Sequence, residues 1–177
     1  MKKTKIVVAI MMGLGLFAPS HILAQPMADG YVYQPFQDKQ TMQIVNRIYQ
    51  QMSWEERIAQ LYGVTPGRLT DKKGKLSPEK CKEVIPYGIG HVCQFACALD
   101  NEPDKLRDFV ADLQAWLKAN TKAGVPAICH EEAIEGFAAK GATVFPQQIG
   151  MGCSWDMDLM IEKSRQTRIQ MRKIGAT

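Results

Sequence analysis

From Val84 onward short apolar segments alternate with helical patterns, and this alternation restricts the folds open to the chain more than any other feature. Val84-Ile85-Pro86-Tyr87-Gly88-Ile89-Gly90-His91-Val92 is apolar, punctuated by glycine and too short for a helix, so it reads as a buried strand with its approach. Pro103 then stands at a helix start, where its missing N–H costs nothing. Leu106, Val110, Leu113 and Leu117, with Phe109 and Trp116 beside them, make an apolar stripe down a helix of about four turns that Gly124 ends. Val125-Pro126-Ala127-Ile128-Cys129 is a second short strand running straight into His130-Glu131-Glu132. After a loop through Phe145-Pro146, Asp156 is placed to cap a last helix over 157–173, with Gly175 as its stop. Strand, helix, strand, helix in this order predicts an α/β fold with parallel strands joined by right-handed crossovers.

Upstream, Met42, Val45, Ile48 and Tyr49 recur at helical spacing. Ser53-Trp54-Glu55-Glu56 is a capping box, from which a short helix starts at Trp54 with Ile58 and Leu61 on one face. Residues 65–78, with their glycines, prolines and basic side chains, read as a solvated loop. Trp116 and Trp155 fall on predicted helix faces or starts, where core packing is their expected use.

The N-terminus carries a processing signal. Lys2, Lys3 and Lys5 precede a thirteen-residue apolar run from Ile6 to Ala18, and Ala24 offers a small residue for cleavage before Gln25. The run is too short to span a bilayer, which takes about 20 apolar residues. Residues 1–24 are therefore expected to be a signal peptide, 25–38 a Pro- and Gln-rich leader, and the chain periplasmic or secreted without a stable membrane anchor. The net charge of +4 falls to +1 once the three lysines are removed, which gives no electrostatic case for nucleic acid as a partner. Five cysteines remain: Cys81, Cys93, Cys97, Cys129 and Cys153. An odd count leaves at least one thiol unpaired. His91, Cys93, Cys97, Cys129 and His130 could be offered as a zinc site. They lack paired Cys-x-x-Cys knuckles, so the cysteines are read as small core residues, with no metal or other cofactor expected.

The cluster His130-Glu131-Glu132 is where chemistry is expected. In a barrel of alternating strands and helices the carboxyl ends of the strands face the active site. Acids there can orient sugar hydroxyls or transfer a proton, and they can equally be solvated loop charges. Nucleophile elbows, phosphate-cradling glycine loops and dinucleotide fingerprints are absent.

The run Val125-Pro126-Ala127-Ile128-Cys129-His130-Glu131-Glu132-Ala133-Ile134-Glu135-Gly136, then Thr143-Val144-Phe145-Pro146-Gln147, then Ser154-Trp155-Asp156-Met157-Asp158-Leu159 resembles the opening of glycoside hydrolase family 3 enzymes. Residues 46–61, with Met52-Ser53-Trp54-Glu55-Glu56, are similar to that family's first helices, and Tyr87-Gly88-Ile89-Gly90 to its glycine turn. The resemblance covers about residues 40–177 in the family's order.

It implies that 39–177 are the N-terminal part of a (β/α)₈ barrel, incomplete, and that the parent enzyme hydrolyses terminal β-xylosyl or β-glucosyl linkages with retention. Glu132 matches the family's acidic residue that grips sugar hydroxyls beside the cleaved bond, with Glu131 and His130 flanking it. That position is commonly Asp in glucosidases and frequently Glu in xylosidase-like members. The family often has His where this chain has Glu135. In the family the nucleophile lies further along the barrel and the acid/base carboxylate later still, so no catalytic residue is assigned to this chain. A closed barrel takes about 250 residues, and 177 less the first 24 leaves 153. The chain is thus expected to be an inactive fragment. Two other classes compete with this reading: a non-catalytic carbohydrate-binding or scaffold protein, and a periplasmic thiol or zinc protein.

Overall fold

A computed structural model of the protein describes residues 38–95, 99 and 102–176. The signal peptide expected at 1–24, most of the 25–38 leader, and Cys97 lie outside the described residues. The chain divides into two compact units, residues 1–47 and 48–177.

The first described element is helix α1, Lys39–Gln51. Asp38, at the end of the expected leader, starts it: its carboxylate accepts from the Thr41 N–H at 2.9 Å, and its hydrogen bonds with Thr41, side chain first, lower its pKa. The helical spacing of Met42, Val45, Ile48 and Tyr49 is realised, yet none of α1 is buried.

In the second unit, α2 is Trp54–Ala59, and both halves of the Ser53–Glu56 capping box are formed. Ile58 and Leu61 do not make a buried face; both are exposed, and the helix ends before Leu61. Glu56 turns inward instead. β1 is only Gly63–Val64. The expected loop at 65–78 contains a 3-10 turn, Pro66–Arg68, an antiparallel bridge between Thr70 and Leu76, and a fully buried Leu69. Helix α3, Pro78–Val84, takes the first residue of the apolar run expected to be a strand. The strand itself, β2, is confined to His91–Cys93, because Tyr87-Gly88-Ile89-Gly90 is used in turning from α3 to the sheet.

Helix α4, Pro103–Asn120, has the expected start and buries the whole stripe of Leu106, Phe109, Val110, Leu113, Trp116 and Leu117. At 18 residues it is a turn longer than the spacing predicts. β3 is Ile128–His130. A short helix α5, Gln148–Gly152, precedes α6, Met157–Lys173, which Asp156 caps through the Leu159 N–H. Trp155 departs from its expected core role: it is 94% exposed at a left-handed φ of 55°.

The described strands form one sheet in the order β1-β2-β3. Both pairings are parallel, with Gly63 opposite His91, Val92 opposite Cys129, and Cys93 opposite His130. Side chains alternate between the two faces. Val92 and Cys129 enter the core with the α4 stripe, where Phe95 and Phe109 meet edge to face at 5.7 Å. His91, Cys93, Ile128 and His130 occupy the other face and are half-buried or exposed. No helix among the described residues is long and apolar enough to cross a membrane.

Candidate functional site

The carboxyl ends of β2 and β3 lie side by side because Cys93 pairs with His130. The residues that follow, Gln94 on one strand and Glu131-Glu132 on the other, therefore share one edge of the sheet. Gln94 has φ 60° and Ala133 φ 51°, left-handed values that non-glycine residues seldom adopt. Strained backbone of this kind concentrates at functional edges. It turns the chain sharply at the end of each strand, and the Gln94 amide makes a long 3.4 Å contact with the Glu132 carboxylate. Glu132 is exposed, while Glu131 and His130 are half-buried. All three residues expected at the site thus come to the carboxyl edge, with His130 in the strand and the two acids just beyond it.

The loop from 131 to 147 is held from below by Lys163 on α6. This lysine is 5% exposed, and its ammonium donates to the Ile134 carbonyl at 2.7 Å and the Pro146 carbonyl at 3.3 Å. A buried ammonium is tolerable only with such partners. Within the loop, the Phe145 N–H donates to the Glu135 carbonyl at 2.7 Å, and the Gln147 amide donates to the Glu135 carboxylate at 2.7 Å. Glu135 thus ties the two ends of its own loop together. A hollow of about 290 Å³ opens between Glu132, Ala133 and α6, with Lys163 and Thr167 in its wall. A larger one of about 500 Å³ lies elsewhere, lined by Ile58, Tyr62, Val84 and Tyr87 around the amino end of β1. It is thus at the opposite end of the strands from the edge that carries Glu131 and Glu132.

Of the five residues offered as a zinc set, Cys97 lies outside the described residues, and the other four separate by face. Cys129 is buried with Gln114 beside its sulfur, and burial pushes its thiol up to about 11. Cys81 is likewise buried, its thiol also pushed up to about 11. Both are core residues, as expected. Cys93 is not: it is half-buried on the opposite face, beside His91 and His130, whose rings approach at 2.9 Å between Nδ1 of His91 and Nε2 of His130.

Sequence reasoning missed Lys163, whose partners are backbone carbonyls and leave no side-chain pattern to read. It also missed Gln94. The spacing of His91 and Cys93 already places them on one strand face, but only the register brings His130 to them.

Residues 53–177 match the family model described as "Glycosyl hydrolase family 3 N terminal domain". No curated protein matches the chain.

Proposed function

Because the chain belongs to glycosyl hydrolase family 3, its N-terminal domain extending over residues 53–177, we propose that it contributes the first strands and the sugar-gripping subsite of an exported retaining β-glycosidase. The observation that carries this reading is the meeting of His130, Glu131 and Glu132 with Gln94 at the carboxyl edge of parallel strands, the edge at which barrels of this class bind substrate. Glu132 is exposed there and available to sugar hydroxyls. The glycoside substrate follows from the family; the sugar is our inference.

The barrel reading has support from the sheet. Three consecutive parallel strands lie in chain order, and both outer edges lack a partner among the described residues, as the first strands of a barrel would before the later ones close it. One face is packed by helices while the other carries His91, Cys93, Ile128 and His130 toward solvent. Parallel sheets are ordinarily covered on both faces.

Retaining hydrolysis needs a nucleophile and an acid/base carboxylate on opposite sides of the bond, about 5–5.5 Å apart. The family places the nucleophile further along the barrel and the acid/base carboxylate later still. His130, Glu131 and Glu132 accordingly bind and orient, and hydrolysis requires the complete enzyme. Glu132 reaches one methylene further than the aspartate common in glucosidases, which crowds the C6 hydroxymethyl of glucose but not xylose. We therefore assign a β-xyloside preference. One methylene in a pocket is worth about 1–3 kcal/mol, or roughly 10–200-fold. In the enzyme completed beyond residue 177, Glu132→Asp should move kcat/KM for aryl β-xyloside over aryl β-glucoside toward the glucoside. An unchanged ratio rejects the steric argument. Export is tested separately: N-terminal sequencing after expression with the leader intact should read from about Gln25, and an intact Met1 in the cytosol rejects it.

A further inference from the structure

We propose that His91, Cys93 and His130 form a zinc site on the open face of the sheet. The inference stands on strand geometry and does not depend on the glycosidase reading. One ligand atom from each residue lies within 4.8 Å of the other two, and all three side chains are half-buried. Their convergence follows from the register. His91 and Cys93 are two residues apart on β2 and so share a face, while His130 on β3 is directly opposite Cys93.

Room for the cluster is made across β1. Gly63 pairs with His91, and a Cβ at Gly63 would lie 2.1–2.6 Å from atoms of the His91 ring. The absent side chain is what lets that imidazole lie where its Nδ1 faces Nε2 of His130. A tetrahedral zinc with bonds of about 2.0–2.1 Å to nitrogen and 2.3 Å to sulfur holds its ligand atoms about 3.3–3.6 Å apart. The nitrogens at 2.9 Å need only separate by a few tenths of an ångström, and the Cys93 sulfur needs to close in by rotation about its side chain. On binding, the Cys93 thiol gives its proton to solvent and the sulfur bonds the metal. Two imidazoles and one thiolate suit a borderline-soft ion and not calcium or magnesium, which take oxygen ligands. Partial exposure of the three leaves the fourth position for water, the arrangement of an open zinc site.

The test is titration of the full 177-residue chain, kept reduced, with Co²⁺ as the spectroscopic substitute for zinc. One equivalent should produce a thiolate-to-cobalt charge-transfer absorption with strong tetrahedral visible bands, and Zn²⁺ should abolish both. Cys93→Ser should remove the charge-transfer absorption and weaken binding by about tenfold or more. Gly63→Ala should weaken it by displacing His91, and Cys153→Ser, at an exposed cysteine, should leave the spectrum unchanged. Absence of the absorption from the native chain, or its survival in Cys93→Ser, overturns the proposal. If Cys93→Ser does not fold, X-ray absorption of the zinc-loaded native chain decides. One sulfur and two imidazoles support the site, since His21 is the sole histidine besides this pair. A shell with fewer than two imidazoles, or without sulfur, overturns it.

Discussion

Glu56 is only 3% exposed, and its two carboxylate oxygens do different work. One accepts from the Ser53 N–H at 2.9 Å and completes the capping box; the other accepts from the Ala123 N–H at 3.1 Å and ties the start of α2 to the loop after α4. Removing the carboxylate leaves two half-buried N–H groups without their partner, and a fully buried unsatisfied donor costs about 1–3 kcal/mol. Urea unfolding of Glu56→Ala should show a loss of about 1–3 kcal/mol, while Glu56→Gln, which retains an acceptor oxygen, should lose less. Equal loss in the two variants would mean that the carboxylate's acceptor role is not what stabilises the junction. The Ser53 half of this arrangement is legible in the sequence, because a capping box has a fixed local spacing. The Ala123 half is not, since its partner is a backbone group 67 residues away. Lys163 is hidden for the same reason, and its helix buries Lys163, Thr167 and Met171, of which only Met171 is apolar, so no apolar period points to it.

At the scale of elements, α6 shows what a cap signal can fix. Its start at Asp156 and its end before Gly175 are both readable from residue types, and the end is a Schellman arrangement: the Ala176 N–H donates to the Met171 carbonyl at 3.2 Å and the Gly175 N–H to the Arg172 carbonyl at 3.1 Å. Gly175 has φ +81°, and a Cβ there would lie 2.9 Å from Val110 on α4. Gly175→Ala should therefore lower stability by about 1–2 kcal/mol from backbone strain alone, with any clash against Val110 adding to it. A thermal melt unchanged from the native chain would contradict this reading of the helix end. The strands are less legible. The apolar run from Val84 mixes a helix end, a glycine turn and a strand of three residues, and hydrophobicity alone does not separate them. β1, with two residues, and α5, with five, are too short to carry a period. The same limit applies at Trp155, where a tryptophan next to a helix start reads as a core residue and instead stands in solvent.

For the whole molecule, the order of strands and helices makes the parallel sheet readable, while register, which decides the neighbours of His130, is not. The place of the candidate site residues at the sheet edge is legible because Glu131 and Glu132 directly follow a strand. The central claim is that these residues supply part of a sugar subsite but not the reacting carboxylates. Its most direct test is to measure hydrolysis of aryl β-xyloside and aryl β-glucoside by the 177-residue chain beside the same chain extended to the complete enzyme. The expected result is no turnover above a host blank for the first and turnover of both substrates, xyloside preferred, for the second. Turnover by the 177 residues alone would contradict the claim by locating the retaining pair among them, and so would a folded, extended chain that hydrolyses neither.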